Sequence, residues 1–291
     1  MAETIDTAFV HAYTTEVHRL AQDGEDGSKT RSAVRLKTGV VGKSFNFERL
    51  GASELPIIAG RHSPTQLLNP EHSRRRCVFS DRGGAILLDK HDEVKILIQP
   101  KNDYAKNHAS AYNRAVDRTV FEAAIGSATA VAADDTTSSV AIGSGQQIAA
   151  GGTGLTFEKV NQAARMLNER DVPQRDRYFA ASPQGFEDLL AETEVTSSDF
   201  SQLMALKEAR FTGPYMGFTW IMSTLLALAT TTRSCIAWQK DGIGLAIPMD
   251  LNTEINTRPD LNNAWQIWAG CSVGAVRIEE ARVIQVDIVE S

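Results

Sequence analysis

The stretch "GKSFNFERLG", residues 42–51, has the aromatic and polar interleaving of the first leg of a β-hairpin, yet no second leg stands close behind it. The next segment, "ASELPIIAGRHSPTQLLNPEHSRRRCVFSDRGG" from residue 52, is long and irregular and carries Pro56, Pro64 and Pro70. A compact domain seldom carries so long an irregular connection unless it has a task. The strand therefore leads into an excursion, and its partner is expected in the distant "RRRCVFSD" at 74–81. A hairpin of this size has too little apolar surface to hold itself in water, so it is expected to lie on something else.

Upstream, Phe9, Tyr13, Val17 and Leu20 fall on one face of a short amphipathic helix. The polar run "DGEDGSKT" at 23–30, with Gly24 and Gly27, reads as a mobile joint that attaches this helix as an arm. Its apolar stripe docks either on its own domain or on a neighbouring subunit. Downstream, "GAILLDKHDEVKILIQP" reads as a strand pair closed by Pro100. Tyr112, Val116, Val120 and Ala123 or Ala124 then mark a helix with Asp103 as N-cap and Gly126 beyond its end. About 24 residues make it roughly 36 Å long, the length of a spine for a layer.

Residues 127–154 are small, polar and glycine-rich. They lack the spacing of a dinucleotide fingerprint or a P-loop, which leaves a surface loop or edge hairpin. Thr156 caps a helix with Phe157, Val160, Ala163, Ala164 and Leu167 on one face, "DRYFAA" is a buried strand, and Ser182-Pro183 starts another helix. The remainder is mostly β. "SCIAW" and "GIGLAI" flank "QKDG" as an expected hairpin, and "LNTEINTRP", "NAWQIWAGCSVGAVRI" and "ARVIQVDIV" are three further strands.

Thirty basic against 36 acidic side chains, a net charge of -6, argue against avid binding of nucleic acid by the whole surface. The three cysteines, Cys77, Cys235 and Cys271, form no CxxC pair, so neither a disulfide framework nor a zinc knuckle is expected, and a reducing compartment fits. No signal segment or membrane span is read, so synthesis in the cytosol is expected. No nucleophile–base–orienter motif or metal motif is present, and His11 and His18, seven apart, cannot share a metal as an i, i+4 pair would. Catalytic residues, cofactors and metals are therefore all expected to be absent. The acidic pairs at 134–135 and 279–280 read as wet turns, and Arg74-Arg75-Arg76 as a loop face able to meet phosphate or carboxylates.

In their order these elements resemble the major capsid proteins of tailed double-stranded DNA bacteriophages, the short-tailed branch above all. "LKTGVVGKSFNFERLG" is similar to the start of that family's extended loop, and the run from "GGAILLDK" to "TVFEAA" to the loop's return into the spine helix, with Asp117 inside it. "RYFAASPQGFEDLL" is similar to a strand, turn and helix of the axial domain, and "ARFTGPYMGFTWIMST" and "VGAVRIEEARVIQVDI" to strands leading back to the shell. The resemblance implies an α+β fold: an N-terminal arm at 1–37, an extended loop at 38–90, a peripheral domain with the spine helix at 91–128, an axial domain at 129–249, and peripheral C-terminal strands at 250–291.

It also implies a non-enzymatic shell subunit. Copies would assemble as pentamers and hexamers into an icosahedral head around double-stranded DNA, touched only weakly, in the host cytoplasm and then the virion. The partners implied are a separate scaffolding protein, since fewer than forty residues precede Thr38, a portal protein and a decoration protein; no membrane is involved. Contacts between subunits are expected at Phe9, Tyr13, Val17, Lys43, Phe45, Phe47, Arg49, Arg74, Arg75 and Arg76. A bacterial nanocompartment shell has a similar fold. The rivals from other classes are an α/β enzyme with its pocket beside Gly143, Gly145 and Gly152, and a DNA-binding protein using the arginine run.

Overall fold

A computed structural model of the chain describes residues 22–89 except 59 and 63, residues 101–191 except 133, and residues 214–290. Phe9, Tyr13, Val17, His11, His18 and the stretch 90–100 lie outside the described residues. The spine forms as a helix, α1, over Lys101–Ile125. Tyr112, Val116, Val120 and Ala124 make its buried stripe, a repeat of four that keeps one face on the core. The helix begins at Lys101, so Asp103 lies inside its first turn and is not the cap.

α1 packs across a four-stranded sheet ordered β1 (Arg35–Thr38), β13 (Ile243–Arg258), β14 (Ala264–Arg277) and β4 (Ser80–Leu88). Beside it stands a second four-stranded sheet of β2 (Ser44–Leu50), β3 (His72–Val78), β5 (Ala128–Val131) and β6 (Thr137–Val140). The largest sheet runs β7 (Gln147–Ile148), β15 (Val283–Val289), β12 (Thr232–Gln239), β8 (Arg177–Ala181), β10 (Phe218–Met222) and β9 (Pro214–Tyr215), with β11 (Leu228–Ala229) on β12. Two helices cover it: α2 (Phe157–Asn168), whose cap Thr156 accepts from the Lys159 N–H, and α3 (Pro183–Ala191), where Ser182 Oγ accepts from Gly185. β8 lies between β10 and β12, and Phe179, Ala180 and Ala181 on it are fully buried. The Phe179 and Trp220 ring centroids lie 4.5 Å apart at a tilt of 31°, and Phe186 also approaches Trp220.

Three expectations change. β12 and β13 do not form a hairpin. The chain turns through Lys240–Gly242 and each strand enters a different sheet, β12 between β8 and β15 and β13 between β1 and β14. Gly242 serves closeness and not a positive φ, since a Cβ there would lie 2.8 Å from Arg282 Cβ. "GIGLAI" and "LNTEINTR" are likewise one strand, because bulges absorb the break in alternation. The expected boundary at residue 250 therefore falls inside β13, and β15 joins the sheet of β8 and β12 while β14 joins that of β4.

The third change concerns the joint. Residues 22–30 are docked along α1: Asn113 donates to the Gly24 carbonyl, and buried Asp117 accepts from Ser28 Oγ at 2.6 Å, the Lys29 N–H at 3.2 Å, the Thr30 N–H at 3.0 Å and Thr30 Oγ1 at 2.7 Å. Gly24 and Gly27, at φ +89° and +101°, shape turns in this docked path and do not loosen it. Trp238 then donates to the Ala33 carbonyl at 2.9 Å, so the chain is anchored where β1 begins.

Candidate assembly surface

The loop is built from its base outward. β2 and β3 pair antiparallel from Ser44↔Val78 to Leu50↔His72, which is the distant pairing that the sequence predicts for residues 42–51. At the base Phe47 and Cys77 are buried with Ala246, Val276 and Ile278, and Phe45 meets Phe47 edge-to-face at 4.9 Å. Two glycines let the hairpin approach. A Cβ on Gly244 would lie 2.6 Å from the Phe47 ring, and one on Gly274 would clash with the Val78 carbonyl oxygen. The base is thus supported by its own chain.

The arginine run is supported as well. Arg75 is only 7% exposed and donates to Glu280 Oε1 at 2.8 Å, while Arg49 reaches Glu280 Oε2 at 3.4 Å. Arg74 pairs with Glu48 at 2.9 Å, and Arg76 donates to Asn46 at 3.4 Å. The residue that gathers Arg49 and Arg75 belongs to an acidic pair whose sequence suggests only a wet turn. Nothing local in the sequence marks Glu280, because its partner lies 205 positions away. Arg277 is also invisible to motif reading: fully buried, it donates to the carbonyls of Ala124, Gly126 and Val140, joining the end of α1 to β6. The expectation of a loop face able to meet phosphate or carboxylates is corrected for Arg75, whose guanidinium is enclosed against Glu280 of its own chain, whereas Arg74 stays exposed beside Glu48.

Beyond the base the support ends. Gly51 donates to the Glu71 carbonyl at 2.8 Å, and between them the described residues form no strand. There Leu55, Ile57, Ile58 and Leu67 are 88%, 91%, 81% and 86% exposed. Single exposed aliphatics are ordinary; several on one loop mark a contact surface. Lys43, at the entry to β2, is exposed too.

The glycine-rich segment takes the form of the β5–β6 hairpin and a loop wrapped on Lys159. The Lys159 ammonium donates to the carbonyls of Ala150, Thr153, Gly154 and Asp287 at 2.8–3.2 Å. That cradle presents acceptor oxygens and already holds a cation, the opposite of what an anionic phosphate needs. Among the described residues no three His, Cys, Asp or Glu side chains converge as a metal site, and no helix is long and apolar enough to cross a membrane. All three thiols are free and buried. Burial pushes Cys77 and Cys235 up to about 12, so both stay protonated through neutral pH. A maleimide reagent at pH 7 is expected to label neither until denaturant is added; rapid native labelling of Cys77 would mean that the loop base opens.

The sequence matches a family model described as phage capsid protein over residues 5–290. No curated protein matches it. Among solved structures, the capsid of cyanophage P-SCSP1u superposes with a TM-score of 0.71 at 16% identity, covering 100% of this chain and 96% of that one. The capsid of Ralstonia phage GP4 gives 0.74 at 10% identity over 97% and 95% of the two chains. The head of Helicobacter pylori bacteriophage KHP40 gives 0.72 at 9% identity over 97% and 96%. At such identities these likenesses speak for the fold.

Proposed function

Because the chain belongs to the phage capsid protein family and so is a structural subunit of a phage head, we propose that its copies join as pentamers and hexamers through the extended loop. The resulting icosahedral shell encloses double-stranded DNA. The observation that carries this reading is the apolar loop tip, where Leu55, Ile57, Ile58 and Leu67 stand in water on a base that is itself well packed. A subunit with a firm base and a bare tip gains the tip's burial only on meeting another copy, at about 25 cal/mol per Å² of apolar surface covered. Lys43 and Arg74, exposed at the base, belong to the same proposed contact, as do Phe9 and Tyr13 of the arm. Phe47 and Arg75 are engaged within the subunit and would act on assembly by holding the loop's direction.

The net charge of -6 suits a wall that contains a genome without adhering to it. A separate scaffolding protein during assembly in the host cytoplasm, a portal protein at one vertex and a decoration protein on the outer face complete the proposal. The family leaves the nanocompartment and enzyme readings without support.

The test is the double variant Ile57→Ser, Ile58→Ser. Its free subunit should unfold within about 0.5 kcal/mol of the parent, because exposed side chains contribute little to folding. Electron microscopy should show that closed shells are lost. Shells of normal yield would overturn the loop-tip reading, and a strongly destabilised subunit would mean that the tip packs on its own chain.

A further inference from the structure

β13 gains two residues on its partner. Ala246 faces Gly274, Met249 faces Ser272 and Asn252 faces Gly270, so Ile247 and Pro248 share the place opposite Val273, and Asp250 and Leu251 the place opposite Cys271. Each such bulge bends its strand and sharpens the twist, and Pro248 has no N–H to give the ladder. The strand changes character across this point. Gly244–Ile247 is buried, with β1 on its outer edge; Asn252–Arg258 is largely exposed and among the described residues pairs with β14 alone.

The second bulge aims the Asp250 carboxylate at two other elements. Arg31 Nη2 donates to Oδ2 at 2.7 Å and Nη1 to Oδ1 at 3.4 Å. The Tyr112 hydroxyl donates to Oδ1 at 2.6 Å, and the Leu251 N–H donates to the same oxygen at 3.0 Å. One side chain thus joins the segment before β1, the spine helix and the bulged strand. Immediately beside it is a groove of about 320 Å³ between α1 and the sheet, in which Tyr112, Leu251 and Cys271 meet a lining of Gly83, Gly84, Ala111 and others. A Cβ on Gly84 would meet nothing within 4 Å, so the helix and the sheet are not close-packed there.

We propose that residues 247–251 form a hinge about which the ribbon of 252–258, 264–270 and 83–88 swings relative to α1. Asp250 is its latch and the groove is the space it moves into. Bulges supply the bend, the latch holds one setting, and the small side chains leave room for another. One sequence that serves in rings of two sizes needs such a freedom, but the hinge rests on the geometry of the single subunit and is tested there. The groups facing Asp250 are Arg31, Tyr112 and Cys271. The Arg31 guanidinium, then the Tyr112 hydroxyl, hold its carboxyl below the usual range, while burial keeps Tyr112 and Cys271 protonated at neutral pH. The latch is therefore closed at neutral pH and weakens as pH falls through that depressed value.

The experiment is hydrogen exchange on the unassembled subunit at neutral pH, so failure of the hinge is separate from failure to form shells. Asp250→Asn should speed exchange of the amides at 252–258 and 264–270 about fivefold, the size expected of a half-exposed pair, and leave Val283–Val289 unchanged. Adding Ala111→Leu, which fills the groove, should reverse most of that gain. Tyr112→Phe removes one hydrogen bond and should give a smaller acceleration in the same segments, which keeps the test open if Asp250→Asn folds poorly. Equal acceleration in Val283–Val289, or none in the ribbon, would overturn the latch. Unchanged ribbon exchange after Ala111→Leu would overturn the groove's part in it.

Discussion

Asp117→Ala is expected to destabilise the subunit by about 3 kcal/mol, read as a lowered urea midpoint, and to expose the bonds after Lys29 and Arg31 to trypsin. Asp117 is 1% exposed and Thr30 0%, so the donors that converge on the carboxylate have no water to turn to. Alanine would leave the Thr30 N–H and hydroxyl buried without acceptors, and an unmet buried donor forfeits its full desolvation energy. Asp117→Asn keeps one acceptor oxygen and should lose less. The order of the two variants is the sharper check. An unchanged midpoint in both would mean that the docked path of residues 22–30 contributes nothing to the subunit.

The second large effect concerns the loop base. An exposed arginine changed to glutamate would leave folding nearly untouched and disturb only contacts between copies. Arg75 is not exposed: it lies against Glu280, whose side chain is itself 20% exposed. Arg75→Glu would face one carboxylate with another in a poorly solvated place, and a loss of about 4 kcal/mol is expected. Arg75→Met, which leaves Glu280 paired to Arg49 alone, should lose about half of that. Thermal or urea unfolding of the free subunit measures both. If Arg75→Glu folds like the parent and fails only in assembly, the Arg75–Glu280 pair is dispensable inside the subunit, and Arg75 acts between copies.

Periodicity made several elements legible. The four-residue repeat from Tyr112 to Ala124 lies on the buried face of α1, Thr156 and Ser182 cap the helices they precede, and residues 44–50 pair with a strand beyond the long excursion. In each case the information is local or nearly so: a face, a cap, a run of strand-forming residues looking for a partner. The Arg75–Glu280 pair could not be read in this way, nor could the anchoring of Ser28, Lys29 and Thr30 on Asp117, since these partners are 205 and 87–89 positions apart. The same limit explains the mistaken hairpin. A short polar turn between two apolar runs suits a hairpin, but β12 and β13 each have other strands on both edges, and a three-residue turn is enough to pass from one sheet to the other.

Local chemistry thus marks which segments are helix, strand or excursion, and shows that one loop carries more apolar surface than it can hide. Which of those residues are already satisfied is a property of the folded chain alone. Phe47, Arg75 and Thr30 are enclosed by distant parts of the same chain, and Leu55, Ile57, Ile58 and Leu67 are not. Propensity and periodicity act over a few residues, whereas burial of a side chain depends on whatever the fold brings against it.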